Sequence, residues 1–155
     1  NLKTPEQSVP LAKELKVVAD YMYLQQMRFG ERIRYELNCK VEQELVMVPA
    51  FTFQPLVENA IRHGVFPKGE GNITIKVREK NGSFFVTVMD DGVGFEELHE
   101  GVGITNIRQR LRRYAGCRLS FESRPGVGTT AEIVYSKNIK EDTKNEDDVG
   151  GRQLN

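Results

Sequence analysis

Asn59, Arg62 and His63 are the first residues whose types and spacing suggest chemistry. They stand at positions i, i+3 and i+4, so on a helix they share one face. A magnesium ion keeps most of its waters and takes only one or two protein oxygens, so a single Asn carbonyl suffices to hold it beside phosphates. The cation and the imidazole on the same face suit a triphosphate. A solvated helix face explains the same spacing equally well.

A second candidate is Asp90, which is followed by Gly92 and Gly94. The glycines let the backbone bend sharply after a buried strand and approach a ligand closely. An Asp at this point can accept a hydrogen bond from an exocyclic amine. An ordinary Asp-Gly turn is the alternative, since the motif is weak when it stands alone.

A third candidate is the pair Gly101 and Gly103, which leads into a predicted helix that starts near Ile104. Free backbone donors at a helix N-terminus attract phosphate, and glycines permit its close approach. The pattern is neither a Rossmann motif nor a P-loop, because it lacks the third glycine, the downstream acid and a Gly-Lys-Ser/Thr sequence. A further glycine turn at residues 126–128 runs into Thr129.

Apolar residues at intervals of three and four predict three helices that would position these groups, at about residues 11–28, 52–63 and 104–114. Gly64 is the expected end of the second helix. The predicted buried stripes are Leu11, Leu15, Val18 and Met22 in the first helix, Phe53, Leu56, Val57, Ala60 and Ile61 in the second, and Ile104, Ile107, Leu111 and Tyr114 in the third.

Alternating apolar residues predict β-strands between and after these helices. Asn81-Gly82 indicates a hairpin, and the run at 84–89 is apolar on both faces, which favours a central strand. The predicted strands lie at about residues 33–37, 73–77, 84–89, 118–123 and 129–135. The fold class is therefore α+β, a two-layer sandwich with a mixed, mostly antiparallel sheet and helices on one face.

The composition excludes some classes of protein. The 155 residues include 22 basic and 22 acidic side chains, so the basic excess typical of nucleic-acid-binding domains is missing. No apolar run approaches the roughly 18 residues of a membrane span. Cys39 and Cys117 show no paired spacing and favour core positions in a reducing compartment. The highly charged tail at 137–155 is predicted to be disordered.

Charge is distributed unevenly along the chain. Residues 90–100 hold five acidic side chains and no Lys or Arg, whereas residues 104–124 hold six arginines and one Glu. An acidic segment beside a basic helix is compatible with holding a magnesium ion and a polyphosphate together.

Taken in order, these motifs resemble the N box and glycine boxes of the GHKL ATPase superfamily, which includes gyrase-type ATPases, Hsp90 chaperones, mismatch-repair ATPases and histidine kinases. Within it, three segments look like those of the LytS-type sensor histidine kinases. They are the segment from Tyr21 to Arg28-Phe29-Gly30, the run Gln54-Pro55-Leu56-Val57-Glu58-Asn59-Ala60-Ile61-Arg62-His63-Gly64, and Gly103-Ile104-Thr105-Asn106-Ile107-Arg108-Gln109-Arg110-Leu111. The resemblance covers about residues 11–135 and implies a Bergerat-type ATP-binding fold.

The resemblance implies roles for individual residues. Asn59 would coordinate the magnesium that bridges the ATP phosphates, Arg62 would lie near the phosphates, and His63 would lie beside the nucleotide. Asp90 would bond the adenine amino group. The other nucleotide-binding positions that it implies are Gly92, Gly94, Gly101, Gly103, Ile104, Thr129 and Thr130. The implied reaction is transfer of the γ-phosphoryl group to a histidine, in which positioning and charge stabilisation do most of the catalysis.

Some positions depart from the family pattern. Gyrase-type members carry a water-activating Glu four residues before the magnesium Asn, whereas this chain has Pro55 there, which argues for a kinase rather than an energy-coupling ATPase. Glu58 is a candidate catalytic residue, with a merely solvated Glu as the alternative. The lid between the glycine boxes is short, at residues 95–100. Arg108, on the third helix, either reaches the phosphates or the acceptor domain, or belongs to a solvated face.

The resemblance also implies an organisation. We expect residues 1–30 to be a helical linker that follows a dimerisation and phosphoacceptor segment, and residues 31–136 to be the ATP-binding domain. Neither His63 nor His99 fits the acceptor role, so we expect the chain to bind Mg-ATP without phosphorylating itself. The intact protein is expected to be a membrane-anchored homodimer that passes phosphate to a response regulator. This domain would lie in the cytoplasm and touch neither the membrane nor nucleic acid.

Two other functions stay open at this point. One is a nucleotide-sensing or interaction module without phosphotransfer. The other is a GHKL anti-sigma-type kinase that acts on serine, although the run at 54–64 and Arg28-Phe29-Gly30 speak against it.

Overall fold

The computed structural model describes residues 8–114 and 116–136. The predicted disordered tail at 137–155 lies outside the described residues, as do the first seven residues of the predicted linker. Among the helices in the described ranges, none combines the length and the apolar character needed to cross a membrane.

Five of the seven described strands form one mixed sheet in the order β2-β4-β5-β7-β6. Strand β2 runs parallel to β4, and every other neighbouring pair is antiparallel. The strands are β1 (Ser8–Pro10), β2 (Ile33–Cys39), β3 (Met47–Pro49), β4 (Gly71–Lys80), β5 (Ser83–Asp90), β6 (Arg118–Arg124) and β7 (Gly128–Ser136). This confirms the predicted sheet. The small antiparallel pair of β1 and β3 was not predicted.

The Asn-Gly hairpin and the central strand are confirmed as well. Asn81 and Gly82 both have positive φ, at 52° and 77°, as a tight turn between β4 and β5 requires. Strand β5 is the middle strand of the five, and its residues Phe84, Val86 and Val88 are buried on one face.

The helices are α1 (Leu11–Phe29), α2 (Phe53–Asn59), α3 (Phe66–Lys68) and α4 (Val102–Leu111). A π-helical segment, Ala60–Val65, joins α2 to α3 without a break. We call residues 53–68 the site helix. It lies in the connection between the parallel strands β2 and β4, and such a pair needs a crossover of this kind.

The predicted end of the second helix at Gly64 is wrong. Gly64 is not among the residues with positive φ, and the helix continues to Lys68, where Gly69 caps it with a φ of 94°. Gly64 is instead a buried point of close contact with the loop after β5. The sequence pattern did not separate these two uses of a glycine.

The predicted bounds of the third helix also differ from the observed ones. Helix α4 starts at Val102, because Gly101 serves as its N-cap, and it ends at Leu111. Tyr114 still lies in the core, since it is 4% exposed after a short turn. The predicted stripes are confirmed, because every residue named for them is buried.

One core joins the sheet to the helices on its inner face. The buried apolar residues of α1 belong to the same cluster as those of the site helix and the sheet; they are Leu11, Leu15, Val18 and Met22. Burial of this apolar stripe holds α1 against the domain, since each fully buried side chain of this kind contributes about 1.5–3 kcal/mol of transfer free energy.

Candidate nucleotide-binding site

A cavity of about 310 Å³, which we call the site cavity, lies between the site helix and the N-terminus of α4. Two segments that are distant in the chain, one ending at His63 and the other beginning at Gly101, meet around it. Its lining residues are Pro55, Glu58, Asn59, Arg62, His63, Gly101, Gly103 and Ile104. The structure thus brings together two of the three candidate motifs.

The site helix presents its polar residues to the cavity because its apolar face is anchored in the core. Leu56, Val57 and Ile61 are at most 2% exposed, whereas Arg62 and His63 are exposed and Asn59 is half-buried. Pro55 is the third residue of α2, in the first turn, where the missing N–H has no intrahelical partner to lose. The predicted common face of Asn59, Arg62 and His63 is present.

Helix α4 contributes its N-terminus to the opposite wall. No side chain caps it, and no acidic residue occupies its first turn. Backbone N–H groups at such an end carry partial positive charge and bind anions. Gly103 comes close to the site helix, because a Cβ built on it would lie 3.9 Å from the Cβ of Pro55. This wall suits a phosphate group.

Asp90 lies at the end of β5, beside the C-terminal half of the site helix. Its Oδ1 accepts a hydrogen bond from the Gly92 N–H at 2.9 Å. The pKa of Asp90 is raised to about 6, mainly by burial and also by the charge of the neighbouring Asp91. Backbone hydrogen bonds from Gly92 and Thr129 lower the pKa but do not cancel this rise. When ionised, this half-buried carboxylate is a hydrogen-bond acceptor only.

Thr129 and Thr130 lie on different faces of the sheet. Thr129 is paired with Asp90 across β5 and β7, and Thr130 is paired with Met89. Because side chains alternate along a strand, only Thr129 shares the face of Asp90. The Oγ1 of Thr129 lies 2.7 Å from the Oγ of Ser123. The structure therefore brings Thr129 to the Asp90 side and leaves Thr130 on the outer face.

Gly92 and Gly94 both stand at close contacts between backbones. A Cβ on Gly92 would overlap the carbonyl carbon of Gly64. Gly94 has a φ of 67°, and a Cβ there would overlap the carbonyl oxygen of Arg124. Gly92 thus packs the loop after β5 on the site helix, and Gly94 packs it on the turn between β6 and β7.

The side chain of Asp91 is directed to Asn72 at the start of β4. Burial raises its pKa, but hydrogen bonds from the backbone and side chain of Asn72 outweigh this effect, and Lys68 adds to them, so the pKa lies below its usual range. Its Oδ1 accepts from the Asn72 N–H at 2.7 Å and its Oδ2 from the Asn72 amide at 2.6 Å. Asp91 therefore fastens the loop after β5 to the start of β4.

Glu58 has a partner on its own helix. Its Oε1 accepts a hydrogen bond from the Gln54 side chain at 3.1 Å. Tyr21 of α1 lies within electrostatic range of Glu58 and Arg62. Burial is the main cause of its raised pKa, the charge of Glu58 raises the pKa further, and the charge of Arg62 lowers it. Tyr21 is a neighbour of the cavity that the sequence pattern did not single out as a site residue.

Arg108 does not line the site cavity. Its Nε lies 2.5 Å from Oε1 of Glu100, in the predicted lid, and its Nη1 donates to the Leu119 carbonyl at 2.7 Å. Its guanidinium also lies 5.8 Å from the centre of the Phe121 ring. Arg108 thus ties the lid to β6 in this structure, which neither sequence interpretation foresaw.

A larger open cavity of about 810 Å³ lies beyond the lid, between residues 95–98 and β6. Arg108 lines it, but none of the predicted nucleotide-binding residues does. Within the described part of the chain, no group of three or more His, Cys, Asp or Glu side chains is placed to hold a metal ion. Asn59 supplies a single amide oxygen to the site cavity, and magnesium is the ion that takes only one or two protein oxygens beside phosphates and water.

Comparison with known proteins agrees with this geometry. The sequence pattern of the family described as histidine kinase-, DNA gyrase B- and HSP90-like ATPase matches residues 50–139. The sensor protein LytS of Bacillus anthracis is 34% identical in a match that covers 86% of this chain and 26% of that protein. The chain spans less than half the length of the curated relatives that lead the comparison.

Solved structures share the fold. The histidine kinase domain of a blue-light activated histidine kinase from Erythrobacter litoralis EL346 superposes with a TM-score of 0.65 at 22% identity, covering 83% of this chain and 61% of that one. Histidine kinase ThkA in complex with the response regulator protein TrrA superposes with a TM-score of 0.65 at 18% identity, covering 85% of this chain and 42% of that one. The predicted fold class is thereby confirmed.

Proposed function

Because the chain belongs to the family of histidine kinase-, DNA gyrase B- and HSP90-like ATPases, we propose that it is the ATP-binding catalytic domain of a LytS-type sensor histidine kinase. The observation that carries the proposal is the meeting of Asn59, Arg62 and His63 with the N-terminus of α4 around one cavity, with Asp90 in contact with Gly64 of the same site helix.

Each part of ATP has a matching part of the site. Asp90 accepts a hydrogen bond from the adenine amine. Gly92 and Gly94 shape the loop after β5, and Thr129 lies beside Asp90. Thr130, on the outer face of the sheet, supports strand β7. The triphosphate lies between Arg62 and the uncapped end of α4 at Gly101, Gly103 and Ile104. His63 lies beside the nucleotide. Asn59 would hold a magnesium ion through its side-chain oxygen, and the ion would supply positive charge to the phosphates.

The reaction is a phosphoryl transfer. A histidine nitrogen outside this chain forms the new N–P bond, the bond from the γ-phosphorus to the bridging oxygen breaks, and ADP leaves. The protein's contribution is positioning and electrostatic stabilisation by Arg62 and the α4 backbone. Pro55 lines the cavity where a hydrolytic member has its base, which favours transfer over hydrolysis. Glu58 is held by Gln54 and faces the same cavity, where it would assist the acceptor.

The rest of the organisation belongs to the same proposal. Residues 1–30, of which 8–30 are described, link residues 31–136 to a dimerisation and phosphoacceptor segment. The intact protein is a homodimeric, membrane-anchored sensor with this domain in the cytoplasm, and a response regulator receives the phosphate. The relative named LytS and the ThkA–TrrA complex support these partners.

Isothermal titration calorimetry tests the site. We expect the wild-type chain to bind Mg-ATP and the Asp90→Asn variant to bind it at least tenfold more weakly, since one hydrogen bond to a charged group contributes about 1.5–3 kcal/mol. Undetectable binding by the wild type, or an unchanged affinity in Asp90→Asn, would overturn the assignment. Radiolabelled transfer from γ-labelled ATP to the full-length protein tests the activity. A full-length protein that binds ATP but labels no histidine would instead be a nucleotide-sensing module.

A further inference from the structure

We propose that Gly64 is a positioning residue that sets the preference for adenine by leaving room for the Asp90 carboxylate. The inference rests on the proposed function and extends it to a residue that has no role among those assigned above. Gly64 lies in the π-helical segment of the site helix and is buried. Its φ is not positive, so its backbone conformation does not require glycine.

The requirement is one of space. A Cβ built on Gly64 would lie 2.5 Å from Oδ1 of Asp90, 2.9 Å from its Cγ and 3.2 Å from its Oδ2. Contacts of a Cβ below 3.0 Å essentially do not occur in proteins, so even a methyl group must displace something. The carboxylate therefore rests directly on the Gly64 backbone. A glycine within a helix is otherwise unfavourable compared with alanine.

The loop that carries Asp90 has little freedom to retreat. Oδ1 accepts the Gly92 N–H at 2.9 Å, and the Val93 N–H donates to the Gly64 carbonyl at 3.1 Å. A Cβ on Gly92 would in turn overlap the Gly64 carbonyl carbon. Two glycine backbones thus pack against each other, and the carboxylate contacts both of them.

This arrangement fixes the direction of the acceptor oxygens relative to the site helix. The same helix carries Asn59, Arg62 and His63, so Gly64 sets the base-recognising carboxylate at a defined distance from the phosphate-binding residues. π-Helical segments inside α-helices occur frequently at functional sites, and this one coincides with the contact. A side chain at position 64 would turn the carboxylate away from the base and leave the phosphate-binding residues in place.

The test compares two nucleotides, Mg-ATP and the Mg complex of purine riboside triphosphate, which lacks the exocyclic amine. We expect the wild type to prefer ATP by about tenfold. Gly64→Ala should lose most of this preference through weaker ATP binding, while its affinity for purine riboside triphosphate stays within about twofold of the wild type. Equal losses of affinity for both nucleotides, or an unchanged preference for ATP, would refute the proposal. Neither result would contradict the proposed function, because the wild type would still bind ATP.

Gly71→Ala is the matched control. Its added Cβ would lie 2.6 Å from Oδ1 of Asp91 and 3.0 Å from a methyl carbon of Val65, so it crowds the neighbouring carboxylate to a similar degree. This variant is expected to lose thermal stability and to keep the wild-type ratio of the two affinities. A wild type that binds neither nucleotide would refute the proposed function itself, which is a different result.

A double variant keeps the inference testable if Gly64→Ala does not fold. Asp90→Ala removes the carboxylate that the new methyl group would strike. Gly64→Ala in the Asp90→Ala background should therefore fold and bind both nucleotides as the Asp90→Ala single variant does, to within about twofold. A further tenfold loss of ATP affinity in the double variant would show that Gly64 does not act through Asp90 and would overturn the proposal.

Discussion

The buried carboxylate of Glu14 accepts a hydrogen bond from the Thr52 backbone N–H, with Oε1 and N 2.9 Å apart. Thr52 is the N-cap of α2, and its own side chain makes no capping hydrogen bond. Its hydroxyl donates instead to the Pro49 carbonyl at 3.1 Å. The Glu14 carboxylate also receives backbone hydrogen bonds from the residues on either side of Thr52. A side chain of α1, far away in the sequence, therefore caps the site helix.

This cap predicts a large loss of stability in Glu14→Ala. The variant leaves buried N–H groups without an acceptor, so we expect its free energy of unfolding in urea to fall by about 2 kcal/mol. Glu14→Gln retains one acceptor oxygen and should lose less. Lys16→Ala is the control, since its ion pair with Asp20 is exposed and contributes little. A loss in Glu14→Ala no greater than in Lys16→Ala would contradict the assignment of the cap.

The raised pKa of Asp90 predicts a conflict between stability and binding. The folded chain holds this proton up to about pH 6, whereas the unfolded chain releases it near 3.8. The stabilisation that protonation provides is therefore complete below about pH 4 and is lost as the pH rises through 6. At pH 7 the charged, half-buried carboxylate weakens the fold. We expect Asp90→Asn to raise the free energy of unfolding by roughly 1–3 kcal/mol at this pH while it weakens ATP binding.

The pH dependence of that difference provides the check. Urea unfolding of the wild type and Asp90→Asn should show a gap that grows between about pH 4 and 6 and becomes constant above 7. Asp91→Asn is the counterpart, because the pKa of Asp91 lies below its usual range and its charged form accepts two hydrogen bonds. That variant should be less stable than the wild type at pH 7. A gap of constant size across the pH range would disprove the role given to burial.

The contact between Arg108 and Glu100 predicts that α4 restrains the motion of the lid. Arg108→Ala and Glu100→Ala should each speed amide hydrogen exchange at residues 95–100 several-fold, because both remove the same link. Arg112→Ala, which removes an exposed arginine just after α4, should leave this exchange unchanged. Protection of residues 95–100 that survives in both Arg108→Ala and Glu100→Ala would show that this ion pair does not hold the lid.

The place of Asn59 on the cavity wall predicts a magnesium-specific defect. Asn59→Ala should lose about tenfold in affinity for Mg-ATP and little in affinity for ATP measured with EDTA. Asn59→Asp keeps an oxygen at the same position and should retain the increase in affinity that magnesium causes. Calorimetry with and without the metal separates the two variants. An Asn59→Ala chain with the wild-type response to magnesium would remove this residue from the metal site.

Local patterns determined much of this protein. Apolar spacing predicted the three main helices, and the Asn81-Gly82 turn and the apolar run after it predicted the central hairpin, because each reflects the environment of neighbouring residues on one element. The ordered polar and glycine motifs predicted Asn59, Arg62 and His63 as a group and Asp90 as a second point of contact. The group lies on the site helix, and Asp90 contacts that helix at Gly64.

Contacts between distant segments were decided only by the tertiary structure. Gly64 looked like a helix end, but its neighbour in space is Asp90, two strands later in the chain, and no local periodicity encodes that approach. The separation of Thr129 from Thr130 depends on the register of β7 against β5. The partners of Glu14 and Arg108 follow from helix packing on the sheet. A residue's type limits what it can bind, but the fold alone decides which group comes within hydrogen-bonding distance.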